Sequence, residues 1–392
     1  MGMRKCLFEL IRYELQGIEI SKKTRAYIAH EGIDDLLATA KRQGLLPLVA
    51  DVLLRLGLVS REETAVKLKK ALFYALSCYE KQRFFTQQAA KALEEAGIDH
   101  ILLKGAVIRD LYPQPWLRTC GDIDVLVREP ELDRAVGVLT QKLDCRAEGV
   151  RNYHDVPLRS KNGVLLELHF SIQEDMPAID SLLSQVWEHA APQEKGGCCY
   201  LQTKEYMVFY LVAHMMYHFV HGGCGIRPFV DLYLLKKKLI YDEEKVLGLC
   251  AQCGLEKFYI AVQQQIGVWF EGKPHTEVTK AMESYVIYGG TFGTRENYVL
   301  LRAGKYGRRM GYIRSRMVLG PETMKKYYPI LHRHGWLLPF FQLYRWCRIL
   351  LGREGNRVWK ELHSSPMTSQ KTLTGVNTLY KALGLSETVG TE

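Results

Sequence analysis

Apolar residues recur at three- and four-residue steps over most of the first hundred positions, and this period predicts helices. Ile33, Leu36 and Leu37 lead into a helix that breaks near Gly44, and Leu45-Leu46-Pro47 starts a second that ends at Leu56-Gly57. A long helix is predicted over about 60–96, with Leu68, Leu72, Ala75 and Tyr79 on its apolar stripe and Gly97 placed to stop it. The texture then changes. Residues 98–103 form a short apolar run that reads as a strand; Lys104-Gly105 breaks it, and 106–111 resumes as helix. Pro113 and Pro115 mark a loop. Residues 122–127 alternate acidic and apolar side chains with period two, the pattern of a strand with one polar face. Pro130 opens a helix to about Leu143, and 164–172 alternates again as a further strand. From about Lys204 to Lys360 the pattern is helical, whereas 364–392 is polar and reads as a flexible, loosely attached tail with one helical turn.

The order strand, helix, strand, helix, strands places an α/β unit between helical segments. Five segments are expected: N-terminal helices over 1–96, the α/β core over 97–200, a helical domain over 201–300, a basic aromatic helical segment over 301–363 and the tail over 364–392.

Composition narrows the class. With 47% hydrophobic and 24% charged residues the chain is globular rather than disordered. No apolar run reaches the roughly 18–20 residues needed to cross a bilayer. Residues 1–13 lack the apolar stretch and cleavage site of a signal peptide, so a cytoplasmic location is expected. The ten cysteines are scattered and do not form a disulfide framework. Cys250 and Cys253 make one Cys-x-x-Cys in a helical pattern, which points to buried thiols rather than zinc.

Charge adds a feature that hydropathy does not show. The net charge is +10, yet residues 302–392 hold 16 Lys and Arg against 5 Asp and Glu, leaving the rest near neutrality. Such segregation suggests a polyanion such as RNA, or an anionic membrane surface with peripheral attachment. Within this quarter, 336–351 mixes aromatics, leucines and arginines. Arg345, Arg348 and Arg353 are expected to snorkel while Trp336, Phe340, Phe341 and Trp346 bury, either in an interface or against the helical domain.

The chemistry concentrates at Asp122 and Asp124. In a strand, residues i and i+2 share a face, with Cα atoms roughly 6.5–7 Å apart. Ile123, Val125 and Val127 then face a core. Neighbouring carboxylates repel unless a cation lies between them, and oxygen ligands suit Mg²⁺ or Mn²⁺. Glu167 is the candidate third carboxylate, and His169 lies on its face of the second strand. Upstream, Lys104 and Gly105 stand where a strand meets a helix, a place where free amides and a positive dipole hold phosphate; Gly121 adds flexibility before the acidic pair. Arg118 is expected either to contact a triphosphate or to pair with Asp122 or lie on the surface, and Arg109 and Asp110 to lie on a solvated face. His214 and His218 share one helix face and either pack in the core or line the cleft. Arg227 either reaches a phosphate or pairs with Asp231. No Walker lysine loop, Gly-x-Ser-x-Gly or paired zinc motif is present.

The strings Leu102-Leu103-Lys104-Gly105-Ala106, Leu111-Tyr112-Pro113, Arg118, Gly121-Asp122-Ile123-Asp124-Val125-Leu126-Val127 and Glu167-Leu168-His169 resemble the DNA polymerase β-like nucleotidyltransferase superfamily. More closely, they resemble its uncharacterised bacterial branch, over roughly 30–350, with His214, His218 and Asp231 in the helical follow-on. The resemblance implies an α+β fold with a mixed sheet flanked by N- and C-terminal helical segments. It also implies transfer of a nucleoside monophosphate from an NTP to an acceptor hydroxyl with release of pyrophosphate, using divalent ions. Asp122 and Asp124 match the metal-binding pair and Glu167 the third carboxylate, which orients or deprotonates the acceptor. Lys104-Gly105 replaces the usual Gly-Ser or Gly-Gly, and the gap to Asp122 is longer. Two other readings are a nucleotide-binding regulatory module with weak turnover, and a nucleic-acid or membrane adaptor working through 302–392.

Overall fold

The computed structural model of the protein describes residues 2–148, 154–174, 176–289, 318–321, 324–325, 328–351 and 370–385. Its N-terminal helices are α1 (Met3–Gln16), α2 (Lys22–Tyr27), α3 (Ile33–Arg42), α4 (Leu46–Arg55) and the long α5 (Glu62–Glu95). Gly44, Gly57 and Gly97 take the positive φ that ends three of these helices, as their places in the pattern predict.

Among the described residues seven strands follow: β1 (His100–Leu102), β2 (Ile123–Val127), β3 (Cys145–Ala147), β4 (Asp155–Ser160), β5 (Leu165–His169), β6 (Ala190–Pro192) and β7 (Cys199–Gln202). They form one mixed sheet in the order β3-β4-β5-β2-β1-β7-β6. Strand β2 runs antiparallel to β1 and parallel to β5, and its register sets Asp124 opposite Glu167. Among the core helices are the single turn α6 (Gly105–Ile108), α7 (Leu132–Leu143) and α8 (Pro177–Leu183). The expected α+β architecture is thus observed.

Strand parity decides what each sheet face meets. Ile123, Val125 and Val127 pack with Leu166 and Leu168 against α5 (Phe85, Ala89, Leu93) and α7 (Leu132, Ala135, Leu139). Leu126 points the other way, into a second core that joins Leu7, Leu10, Leu48 and Leu53 of the N-terminal helices to the later helices. Those are α9 (Lys204–Val220), α10 (Arg227–Lys238), α11 (Glu243–Gln252), α12 (Glu256–Glu271) and α13 (Glu277–Gly289). The helices before and after the sheet therefore share one apolar core. Each fully buried Leu or Phe in it contributes about 1.5–3 kcal/mol.

Helix α9 is apolar on nearly every side: Tyr206, Phe209, Val212, Ala213, Met216 and Phe219 are all buried. Such a helix belongs inside the molecule. Thr203 caps it, accepting from the Tyr206 amide. The polar positions of its middle, His214 and His218, are half-buried and look into the space beside β2.

Four expectations are corrected here. The strand expected from Asp122 begins at Ile123, and all five of its positions are buried, its polar face included, because β2 is a central strand. The tail is not loose over 370–385. It forms α15 (Gln370–Ala382), which follows α14 (Leu338–Leu351) in the chain and buries Leu379 and Tyr380, with Leu383 and Leu385 buried just after it. The Tyr380 hydroxyl donates to the Phe219 carbonyl at 2.8 Å, as does that of Tyr285. Trp336 and Phe340, expected to bury, are 70% and 63% exposed, because no described element covers their side of α14. Arg109 is buried rather than solvated: its Nε donates to the Gly105 carbonyl at 2.9 Å. Residues 301–317, 322–323, 326–327 and 352–369, with Arg353 among them, lie outside the described residues. Among the described residues no helix is long and apolar enough to cross a membrane.

Candidate active site

Lys104 closes β1 with φ 38° and ψ −105°, one of two non-glycine residues among those described with positive φ. A lysine held there costs about 1–3 kcal/mol, a strain that persists only where the surroundings fix it. What fixes it is charge. The Lys104 ammonium lies 3.9 Å from Asp124 Oδ1 and 5.6 Å from the centre of the Tyr210 ring. Burial works against its charge, but Asp124, Tyr210 and Glu174 outweigh that and raise its pKa above the usual lysine value. Gly105 is required next to it: a Cβ there would sit 2.5 Å from Cys120 Sγ and 3.0 Å from Arg118 Nη1. The free helix N-terminus expected at Gly105 is not found. Helix α6 is one turn long, and its Ala106 and Val107 amides already donate to the Leu103 and Lys104 carbonyls. The positive character of this corner therefore rests on the Lys104 side chain.

Opposite Lys104 the β2–β5 register gathers the acids. His169 Nε2 is 3.1 Å from Asp124 Oδ1 and 3.7 Å from Glu167 Oε2. Asp124, Glu167 and His169 each offer a ligand atom, all within 4.8 Å of one another. Asp122, half-buried just before β2, stands beside them and is raised in pKa by burial and by the Asp124 charge. Burial pushes Asp124 up as well, but Lys104 and His169 overcome it and hold this carboxyl well below the usual range. Glu167 is pushed up to about 7 by burial, then by Asp122 and Asp124. Lys104 thus compensates Asp124, while Asp122 and Glu167 remain crowded carboxylates. That donor set fits a divalent cation: hard oxygen ligands suit Mg²⁺, and an imidazole alongside them also suits Mn²⁺.

The third wall is α9 with the loop after β5. Glu174 Oε1 lies 2.6 Å from His214 Nδ1, and His214 Nε2 lies 3.0 Å from His218 Nε2. Asp180 fixes the loop by accepting from the Glu174 and Met176 amides, both at 2.8 Å. Burial, then the Lys104 charge, holds His214 well below the ordinary histidine range. Burial and His214 pull His218 down to about 3. Glu174 carries no motif and escapes a reading of the sequence. The one signal for it is its place just past β5, whose Glu167 and His169 already point into the cleft.

The remaining candidates divide. Arg118 pairs with Asp231, not with Asp122: Nη2 and Nε donate to the two carboxylate oxygens at 2.7 and 2.9 Å, with all these groups buried. The Tyr112 hydroxyl donates to the same carboxylate at 2.7 Å. This cluster ties the loop before β2 to α10. Arg227 does not take Asp231; its Nη1 donates to the Thr119 carbonyl at 2.7 Å, near enough to Asp122 to lower that carboxyl's pKa. Gly121 is exposed, with open space where a Cβ would stand. Cys250 and Cys253 are buried thiols with raised pKa, Cys253 to about 11, as burial dictates. A groove of about 610 Å³ lies on the outer face of α10–α13, between Leu247, Tyr259, Gln263 and Lys273, and includes none of the acidic cluster.

Comparison with known proteins adds a family. Residues 29–271 match the family model described as "Uncharacterised nucleotidyltransferase". Two solved structures are similar to part of the chain. One is the solution structure of the antibiotic-resistance factor ANT(2'')-Ia, with 14% identity and a TM-score of 0.33 over 47% of this chain and 96% of that one. The other is an antigenic nucleotidyltransferase-like protein from Paracoccidioides brasiliensis, with 15% identity and a TM-score of 0.32 over 50% and 96%. No curated protein matches the chain.

Proposed function

This chain belongs to the uncharacterised nucleotidyltransferase family, and on that premise we propose that it moves an NMP group from an NTP to an acceptor hydroxyl, releasing pyrophosphate. The observation that carries the reading is the pairing of Asp124 with Glu167 across β2 and β5, with Lys104 3.9 Å from Asp124. A negative cluster and a buried cation on one cleft are what transfer of a phosphate-bearing group requires.

Asp122, Asp124 and Glu167, with His169 beside them, are the residues that would hold Mg²⁺ or Mn²⁺. Such an ion, when bound, supplies charge neutralisation of the triphosphate. Lys104 is assigned to the phosphates as a point charge, with Gly105 giving the close approach. Arg227 borders the same cleft, whereas Arg118 and Asp231 act through the architecture of the loop. The acceptor is a small molecule, an RNA or a protein. The test is pyrophosphate release from each of the four NTPs with Mg²⁺ or Mn²⁺. Asp124→Asn should abolish it, and Lys104→Ala should weaken NTP binding with the fold intact. Binding without pyrophosphate release across mixed acceptors would favour a regulatory nucleotide-binding module.

A further partner is proposed from α14. Phe340, Leu343 and Tyr344 stand exposed on this helix, with Trp336 just before it, in the quarter of the chain that holds the excess positive charge. Exposed aromatics among basic residues suit stacking on single-stranded RNA or insertion into an anionic membrane surface. RNA binding is expected to weaken steeply with salt, while membrane binding should require anionic lipid and keep a salt-resistant part.

A further inference from the structure

We propose that His218, His214 and Glu174 form a relay that takes the proton from the acceptor hydroxyl. The proposal rests on the nucleotidyl-transfer reading. In that reaction an O–P bond forms to the acceptor, the bond from the α-phosphorus to pyrophosphate breaks with its electron pair leaving on pyrophosphate, and the acceptor's proton must go to a base. Glu167 is poorly suited. It stands with Asp124 and His169 in the cluster that would hold the cation, which would engage its lone pairs.

The relay is fixed from one end. Glu174 has only acceptor oxygens when ionised, so at 2.6 Å it takes Nδ1–H of His214. His214 Nε2 is then bare and accepts Nε2–H of His218 at 3.0 Å. That leaves His218 Nδ1 as the open lone pair. No hydrogen bond among the described residues uses it. The two rings are one helical turn apart on α9, a helix otherwise packed in the core, so their facing geometry is set by the backbone. The Glu174 end is held by Asp180.

The surrounding charges suit a chain that stays neutral at rest. Lys104 and Arg227 face His214, as do Asp124 and His169 from the sheet; His221 and Lys104 face His218; and Lys104, His154 and His169 face Glu174. Neither imidazole needs to hold a charge. The acceptor's proton enters His218 Nδ1, Nε2–H of His218 passes to His214 Nε2, and Nδ1–H of His214 passes to Glu174. Both rings end neutral with their tautomers exchanged, and the proton rests on Glu174, whose affinity for it burial raises. His218 is thereby a catalytic residue; His214 and Glu174 are positioning residues that act through it.

Two measurements test this on the full-length protein. The first is ¹⁵N NMR of histidine-labelled protein at pH 7, without nucleotide. His214 should be the neutral Nδ1–H form and His218 the neutral Nε2–H form; a cationic ring or the opposite tautomer at either position overturns the relay. The second is pyrophosphate release from ATP and Mg²⁺ with water as the acceptor. Glu174→Gln keeps a carbonyl acceptor for His214 and thus both tautomers, but cannot store the proton. It should slow turnover by on the order of 10²-fold at unchanged ATP affinity. His218→Ala should be slowed similarly and be partly restored by added imidazole. Wild-type rates in both variants would sink the relay and leave nucleotidyl transfer standing. A wild type that releases no pyrophosphate, and binds ATP and Mg²⁺ no better than Asp124→Asn, would remove the transfer reading and the relay with it.

Discussion

Replacing Asp231 by alanine removes one carboxylate and strands two buried partners. Arg118 loses both charge-assisted hydrogen bonds, and Tyr112 loses the acceptor of its hydroxyl. The Arg118 and Asp231 side chains are only 7% and 5% exposed, so water does not replace what is lost. Breaking a buried pair from one side costs about 3–5 kcal/mol, because the remaining charge stays desolvated and alone. An unmet tyrosine hydroxyl overlaps with that figure, and we expect a total of roughly 4 kcal/mol. For a chain of this size this is a fall in Tm of roughly 5 °C. The assay is urea unfolding followed by far-ultraviolet circular dichroism, with the midpoint and slope fitted separately. Arg118→Met combined with Asp231→Leu removes both charges and should recover most of the loss. The double variant should also bind ATP like wild type, since Arg118 is committed to α10 rather than to phosphate. A loss below about 1 kcal/mol for Asp231→Ala, against the several expected of a buried pair, would refute the reasoning. Weakened ATP binding in a stable double variant would return Arg118 to the nucleotide site.

Further outcomes follow from the same geometry. Gly105→Ala places a Cβ 2.5 Å from Cys120 Sγ, and Arg118 beside it cannot retreat from Asp231. We expect a loss of about 1–3 kcal/mol, partly relieved by Cys120→Ala in the same urea assay. Asp122→Ala/Asp124→Ala should abolish Mn²⁺ binding in calorimetry; binding equal to that of wild type would place the cation elsewhere. Because the Glu167 pKa in the fold is raised to about 7, cation binding must displace its proton at lower pH. Mn²⁺ affinity should therefore climb by up to roughly tenfold per pH unit from about pH 5 and level off above 7, and a flat profile between pH 5.5 and 7.5 contradicts it. The same raised pKa means that, without a cation, Glu167 favours folding below its unfolded value and loses that contribution as pH rises through 7, so melts at pH 8 should gain most from added Mn²⁺. Arg345→Glu/Arg348→Glu should reduce low-salt binding to single-stranded RNA or anionic liposomes and leave ATP affinity unchanged; absence of binding to both at about 50 mM salt would exclude these partners.

Sequence by itself determined whatever depends on spacing within one element. The periods of 3.6 and 2 are covalent geometry, so α5, β2 and α7 are legible from the chain, as are the facing of Ile123, Val125 and Val127 to a core and the glycines that end helices. The same rule places Glu167 and His169 on one strand face. Strands β3, β6 and β7, at the two margins of the sheet, have three or four residues, too few for a period to show. Only the tertiary structure decided which distant segments meet. The β2–β5 register brings Asp124 to Glu167, and the packing of α9 over that face buries a strand that reads as having one polar side. Arg118 had Asp122 four residues away and takes Asp231, 113 residues on. Asp124 instead finds Lys104 and His169, whose charge and hydrogen bond hold it ionised. Glu174 gains its role because His214 arrives opposite it, 40 residues along the chain. Local propensity is a matter of tenths of a kcal/mol per residue, whereas partner choice among buried charges is worth several. Those stronger interactions act between elements rather than along them, and no local pattern in the chain records them.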